Sequence, residues 1–384
     1  MRATSVRWRW RDVHVGLNLI FLVPGQTGGM EVVARETIPA LVDAAAPGTR
    51  ITAFVSRDAG TGPWGELIER VEVPVRASNR LEWVRGEQQL LPRLAARAGV
   101  DIVHSMASTG PVWGRFARVV TVHDLIYRHL PEAHEGWRAH GMRVLVPLAV
   151  ARSDRVIAVS QATKQDVVNY LGAPPDKVDV VYSGPGAPPT TAPLAEHELR
   201  ERFDLDERRV LLTLSAKRKH KNLEPLLEAV ARLESRPLLV LAGYPTEHEA
   251  ELRARADTLG IGGDVRWPGW LSSAEVEGLW AITSGFVFPS LYEGFGLPVL
   301  EAMTRGVPVA CSSTSATGEI AGDAALLFDP SDPGAIAVAL ERLLAGGAEV
   351  ERLKRAGTAR AAEFTWRRTA NGLLDSYGRA LASR

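Results

Sequence analysis

An α/β protein of two domains, each a parallel sheet covered by helices on both faces, is predicted by three features of the sequence. Its 384 residues exceed what one hydrophobic core usually supports. Short apolar runs bounded by Gly, Pro or Asp alternate with helical patterns along the whole chain, which is how strands buried on both faces read. One stretch, 183–206, loses this periodicity and gathers Pro185, Pro188, Pro189 and Pro193, marking an interdomain linker. The expected domains are 1–184 and 206–365, with 185–205 as the linker.

In the first domain the strand candidates are 13–23, 51–55, 101–104, 119–122, 155–159 and 178–181, with helices near 29–44, 81–97, 136–151 and 161–171. Breaks fall at Pro24-Gly25, Gly99, Pro111 and Gly172. The second series has strands at 210–214, 237–241, 264–267, 285–288, 307–310 and 325–328. Its helices lie near 222–234, 247–259, 272–281, 298–305, 332–344 and 366–382. Doubly wound sheets bind ligands beyond the carboxyl ends of their strands, so two facing sheets would direct both sets of ends into one cleft. Functional motifs are expected just after strands.

Composition narrows the function. With 45 Lys and Arg against 45 Asp and Glu the chain is formally neutral, which leaves no footprint for a phosphate backbone, so no nucleic-acid partner is expected. Residues 1–184 hold 22 basic against 18 acidic side chains, and the remainder 23 against 27. Much of the basic excess is Arg2, Arg7, Arg9 and Arg11, which with Trp8 and Trp10 are read as a frayed end, contact with an anionic membrane surface being the alternative. Cys311 is the sole cysteine, so a disulfide within the chain and a cysteine-based zinc site are excluded, and a cytoplasmic location fits. The apolar run 13–23 imitates a signal peptide, but His14 and Asn18 interrupt it and no small-x-small site follows. No stretch approaches the roughly 20 apolar residues of a membrane span, so any membrane contact is expected to be peripheral.

The strongest chemical signal follows strand 285–288. Glu293 and Glu301 are separated by seven residues that include the bend Gly294-Phe295-Gly296-Leu297, and Pro298 suits the first turn of a helix. Glycines let a backbone approach a ligand closely, and a helix start offers unpaired N–H groups with the positive end of its dipole. Two carboxylates around an anion seat can bracket a ligand with phosphates in its middle and hydroxyls at both ends, as in a nucleoside diphosphate sugar. Glu301 would hold the ribose and Glu293 the sugar hydroxyls.

Glu293 to Glu301, reading Glu-Gly-Phe-Gly-Leu-Pro, resembles the Glu-x7-Glu motif of the family-four retaining glycosyltransferases, and the likeness covers nearly the whole chain. It implies the GT-B fold, two facing Rossmann-like domains with a deep cleft between them. The implied reaction is metal-independent transfer from a nucleotide-sugar donor, without a cofactor, to a glycan, lipid-linked or small-molecule acceptor. The 366–384 segment resembles the family's closing helix, which crosses back to the first domain.

After strand 210–214, Lys217-Arg218-Lys219-His220-Lys221-Asn222 places four Lys or Arg cations at a helix start, and three of the chain's six lysines lie here. A leaving diphosphate requires such neutralisation. Lys221-Asn222-Leu223 resembles the family's Lys-Asn-Leu element, which makes Lys221 the expected phosphate ligand. The family's arginine position falls on Ala216, so Arg218 is taken as the substitute, with Lys217 and Lys219 as rivals.

In the first domain, Gly28-Gly29 follows the first strand and opens a helix, matching the family's glycine-rich loop. His123-Asp124, in Val-His-Asp after strand 119–122, resembles an element whose histidine lies beside the donor sugar. His123 is read as a sugar contact and Asp124 as its support. Trp270 and Leu271 match a loop that holds the base. Ser160 and Thr163 read as helix caps, and Gly60–Gly65 as a surface loop. Asp204-Leu205-Asp206 imitates a metal-binding Asp-x-Asp, but its place in the linker argues against a metal site. The wording Val-Thr-Val-His-Asp-Leu resembles bacterial mannosyltransferases, favouring GDP-mannose as donor. A same-fold epimerase, a phosphorylase and a silent nucleotide-sugar binding module are the alternatives.

Overall fold

The computed structural model describes residues 12–60, 62, 65–130, 137–186 and 191–384. The basic end with Arg2 to Arg11, and residues 61, 63 and 64 of the Gly60–Gly65 stretch, lie outside them. The chain divides into two compact units. One comprises Met1–Arg128, His134–Gly184 and Thr365–Arg384, the other His129–Ala133 and Pro185–Phe364. Among the described residues no helix is long and apolar enough to cross a membrane.

The first unit carries strands β1 (His14–Leu19), β2 (Arg50–Val55), β3 (Glu69–Glu72), β4 (Ile102–Ser105), β5 (Ala117–Val122), β6 (Arg155–Ala158) and β7 (Val178–Val180). They form one sheet in the order β3-β2-β1-β4-β5-β6-β7, all pairs parallel. Every residue of β1 is buried, as a strand covered on both faces must be. The sequence reading missed β3, because Glu-Arg-Val-Glu carries no apolar run. Charge suits its place at the sheet edge, where it discourages further pairing.

The helix expected over 81–97 is interrupted. Arg80–Arg85 and Leu91–Arg97 are α-helical, but Gly86–Leu90 forms a wider π turn, and within it Glu87 is buried. A Cβ on Gly86 would lie 2.7 Å from Val75 Cγ2, so only glycine lets this turn sit so close to its neighbour.

The helix Trp366–Ala382 packs on the first unit. Tyr377 is fully buried there, its hydroxyl 2.7 Å from His104 Nδ1, and Thr369 Oγ1 donates to the Tyr182 carbonyl at 2.8 Å.

The second unit carries β8 (Val210–Leu214), β9 (Leu238–Ala242), β10 (Val265–Gly269), β11 (Thr283–Phe288), β12 (Val309–Ser312) and β13 (Leu326–Phe328), in the parallel order β10-β9-β8-β11-β12-β13. Helices Ser315–Ala321 and Gly347–Ala361 were not anticipated. Within the expected linker, 185–205, residues Glu196–Arg202 form a helix that packs on the helix Ser273–Ile282. Leu199 is buried, Leu194 N–H donates to the Ala274 carbonyl at 2.8 Å, and Arg202 pairs with Glu275 at 2.9 Å. One apolar residue and a few local bonds suffice to anchor so short a helix, which leaves little periodicity to detect.

In each sheet the strand order reverses beside its first strand, between β1 and β4 and between β8 and β11. Connections leave in opposite directions at such a point and open a crevice at the carboxyl ends.

Candidate functional site

The crevice between β8 and β11 brings together the two sequence motifs of the second unit. Lys221, in a tight turn after β8, points its ammonium at Glu293 after β11, with Nζ 2.5 Å from Oε1. The two side chains are 17% and 16% exposed, so the pair is shielded yet reachable. Ser290 Oγ donates to the same carboxylate oxygen at 2.6 Å. The Glu293 N–H is bound by Ser315 Oγ at 3.0 Å. Ser315 has a φ of 53°, a left-handed conformation uncommon outside glycine, and such strain clusters at functional sites. Glu293 is thus held by side chain and backbone together.

The turn that presents Lys221 is fixed as firmly. Asn222 adopts the left-handed region, with φ 58° and ψ 43°, and its side-chain amide donates to the carbonyls of Pro289 at 3.1 Å and Pro330 at 2.7 Å. Leu291 N–H and Ser290 Oγ reach the His220 carbonyl at 2.9 and 3.1 Å, which ties the turn after β8 to the one after β11. The Lys221 ammonium lies 5.2 Å above the Phe288 ring, a favourable cation–π placement.

The rival cations separate by burial. Lys217 is fully buried; its Nζ donates to the Gly243 carbonyl at 2.6 Å and faces Glu249 at 3.7 Å, and desolvation lowers its pKa. It braces the loop after β9 and has no charge to spare for a ligand. Arg218 and Lys219 are exposed, and among the described residues neither charge has a partner.

Gly294, Phe295 and Gly296 are buried as they enter the helix Leu297–Thr304, and Gly296, with φ 101°, caps it. The Phe295 ring packs edge-on against Phe364 at 6.1 Å. Glu301 lies in the second turn of that helix. Arg305, its natural partner four residues on, is engaged by Glu277 at 2.5 and 2.9 Å, so the Glu301 carboxyl makes no hydrogen bond among the described residues. Burial raises its pKa to about 7, with Arg305 opposing the shift.

Trp270 follows β10, is 68% exposed, and meets Tyr244, beyond β9, edge to face at 6.0 Å. Leu271 beside it is half-buried. Tyr244 was missed from the sequence, as were Ser290 and Ser315. Only Ser290, three residues before Glu293, left a local signal.

In the first unit, Gly28 caps the helix Gly29–Ala44 with φ 61°, and a Cβ on either glycine would meet nothing within 4 Å, so this helix start is open. His123 follows β5. Its Nε2 donates to the Met106 carbonyl at 2.7 Å, its N–H donates to Ser108 Oγ at 3.2 Å, and desolvation lowers its pKa, which leaves Nδ1 of a neutral ring as an acceptor. Asp124 accepts from the Ile126 N–H at 3.1 Å and so shapes the turn. Ser160 alone caps the helix Gln161–Leu171, its Oγ accepting from the Thr163 N–H at 3.0 Å, while Thr163 lies within the first turn. Behind His123 lies a small cavity lined in part by Thr37, His104, Thr121, Ser183 and Thr369. His104 bridges Thr121 and Tyr377 at 2.7 Å each, and burial lowers its pKa to about 3, so it is a neutral link.

Among the described residues one cluster has metal-ligand composition, Glu224, His248 and Glu251. Both acids are exposed and His248 is already bonded to Glu251 at 2.8 Å, as surface ion pairs are without any metal. Asp204 and Asp206 are paired to Arg266 and Arg208.

Comparison with known proteins places the chain in a family. Residues 196–360 match the family model for glycosyl transferases group 1, and residues 27–184 that of glycosyltransferase family 4. The O-antigen chain mannosyltransferase B of Escherichia coli is 28% identical, over 67% of this chain and 69% of its own length. The MMP alpha-(1->4)-mannosyltransferase of Mycolicibacterium hassiacum is 31% identical, over 75% of this chain and 73% of its own. The serotype-specific mannosyltransferase WbdA of Escherichia coli is 32% identical, but the match spans only 29% of that longer protein. Among solved structures, sucrose-phosphate synthase from Thermosynechococcus elongatus superimposes with a TM-score of 0.76 at 18% identity, covering 97% of this chain and 100% of that one. Anabaena HepE in complex with UDP-glucose does so at 0.72 and 18%, covering 94% and 99%. Two parallel-sheet α/β units with these neighbours are the GT-B fold, and the chain belongs to the group 1 glycosyltransferases.

Proposed function

We propose that this glycosyltransferase moves mannose from GDP-mannose to a glycan, lipid-linked or small-molecule acceptor with retention of the anomeric configuration. The observation that carries the reading is the Lys221–Glu293 pair at the β8–β11 crevice, beside the Gly294–Gly296 bend. Lys221 and Arg218, with the start of the helix Leu297–Thr304, supply positive charge for a diphosphate without a metal. Glu301 takes the ribose, Glu293 the hexose hydroxyls, and Trp270 with Leu271 the base. The mannosyltransferase names of the relatives favour mannose, and the UDP-glucose complex of HepE supports a nucleotide-sugar donor.

The second unit binds the donor and the first unit the acceptor, and His123 offers Nδ1 of a neutral ring as an acceptor for a sugar hydroxyl. The bond from C1 to the leaving phosphate oxygen breaks as the acceptor oxygen bonds to C1 from the same face. The acceptor proton passes to that departing oxygen. The Glu293 carboxylate is already engaged by Lys221 and Ser290, which favours this route over a double displacement through a glutamyl nucleophile.

A thermal-shift screen with GDP, UDP, ADP and dTDP and their sugars tests the donor, GDP-mannose being expected to give the largest rise. Proton NMR of the product tests stereochemistry. A product of inverted configuration would overturn the retaining mechanism, and epimerisation of donor alone would establish the epimerase instead.

A further inference from the structure

We infer that Gly186 is a positioning residue for Glu301, keeping vacant the space its carboxylate must occupy to hold the ribose. A Cβ on Gly186 would fall 1.9 Å from Glu301 Oε1, 2.6 Å from Cδ and 2.7 Å from Cγ. Carbon contacts are optimal at about 3.5–4.0 Å, so even a methyl group is incompatible with the present place of this carboxylate.

The clash can be relieved in only one inexpensive way. Gly186 is not among the positive-φ glycines, so its backbone accepts alanine without strain. The atoms in the way belong to the tip of a flexible side chain. At Gly243 the contrast is plain, because a Cβ there would meet the Ser215 carbonyl oxygen at 2.4 Å and the main chain would have to move. A methyl group at 186 therefore turns the Glu301 carboxyl aside. Among the described residues no hydrogen bond holds that carboxyl in place, and Arg305, which attracts it, is itself bound to Glu277. A ribose diol requires both carboxylate oxygens at fixed positions, so a displaced carboxyl forfeits the contact while the fold stays intact.

The inference rests on the reading of Glu301 as ribose ligand, and four chains separate the two. The intact chain, Gly186→Ala, Glu301→Gln and the double variant are titrated calorimetrically with GDP, UDP and ADP, which share the ribose. Gly186→Ala should weaken the tightest of these nucleotides about tenfold, the scale of a charged hydrogen bond, with an unchanged melting temperature. The double variant should bind no worse than Glu301→Gln alone, because both substitutions remove the same contact. Wild-type affinity in Gly186→Ala beside a weakened Glu301→Gln, or additive losses, would overturn the positioning role alone. Full affinity in Glu301→Gln would overturn the ribose reading and the inference with it, as would the absence of nucleotide binding by the intact chain.

Discussion

The two sheets share one winding rule but furnish their carboxyl edges differently. At the β8–β11 crevice the chain places formal charge, Lys221 on Glu293, with Arg218 and Lys219 exposed nearby in sequence. At the corresponding edge of the first unit no ion pair forms among these groups: Asn18 and Thr109 donate to Glu87, whose carboxyl burial shifts toward the neutral form, and His104 links Thr121 to Tyr377. Charge held in a shielded pocket has its full effect only on a charged ligand, whereas neutral networks position hydroxyls and hold the fold. The difference supports the proposal that the diphosphate sits at the second sheet.

The largest expected effect probes the charged edge. Lys221→Ala should lower the steady-state transfer rate roughly 10²-fold or more, as loss of a charge stabiliser in the transition state does. Unchanged turnover would erase the contrast between the sheets. Lys221→Arg, which keeps the charge but alters its placement, should recover part of the rate.

The neutral edge is broken by pH. Burial raises the Glu87 pKa from 4.5 to about 7, so the folded chain holds a proton that the unfolded chain has released. That contribution to stability is complete below about pH 4.5 and lost as pH rises to about 7. His104, lowered from 6.5 to about 3, acts oppositely, costing stability as pH falls below 6.5. The melting temperature of Glu87→Gln relative to the parent should therefore improve steadily between pH 4.5 and 7. A constant difference would mean that Glu87 is ionised throughout.

Smaller still, Tyr377→Phe removes the hydroxyl bound to His104 and should cost about 1–2 kcal/mol in denaturant unfolding. Donor KM should not move, since the network is structural. Trp270→Ala should raise donor KM about fivefold, near the low end of base stacking on an aromatic ring. No change would restrict the donor contacts to the crevice itself.

Legibility followed locality. β8 and the Glu293–Glu301 motif could be read because each is contiguous: an apolar run between polar residues, and two acids around a glycine bend. The charged edge strand β3 and the helix Glu196–Arg202 could not, since each depends on its neighbours in the fold and not on its own pattern. Among the cations, sequence left Lys217, Arg218 and Lys219 as rivals. Burial removes Lys217, which is committed to the Gly243 carbonyl, and leaves Arg218 and Lys219 both exposed.

By itself the sequence determined the α/β class, the two series of strands and the chemical types at the site, because periodicity and turn residues act over a few positions. Tertiary structure alone decided that Lys221 meets Glu293 across 72 positions, that Ser315 adopts a strained conformation to bind the Glu293 N–H, and that Gly186 lies against Glu301. Those relations arise from strand order, which brings β8 beside β11 and leaves β9 and β10 on its other side. Strand order is set by the packing of whole sheets, a property no short stretch of chain encodes.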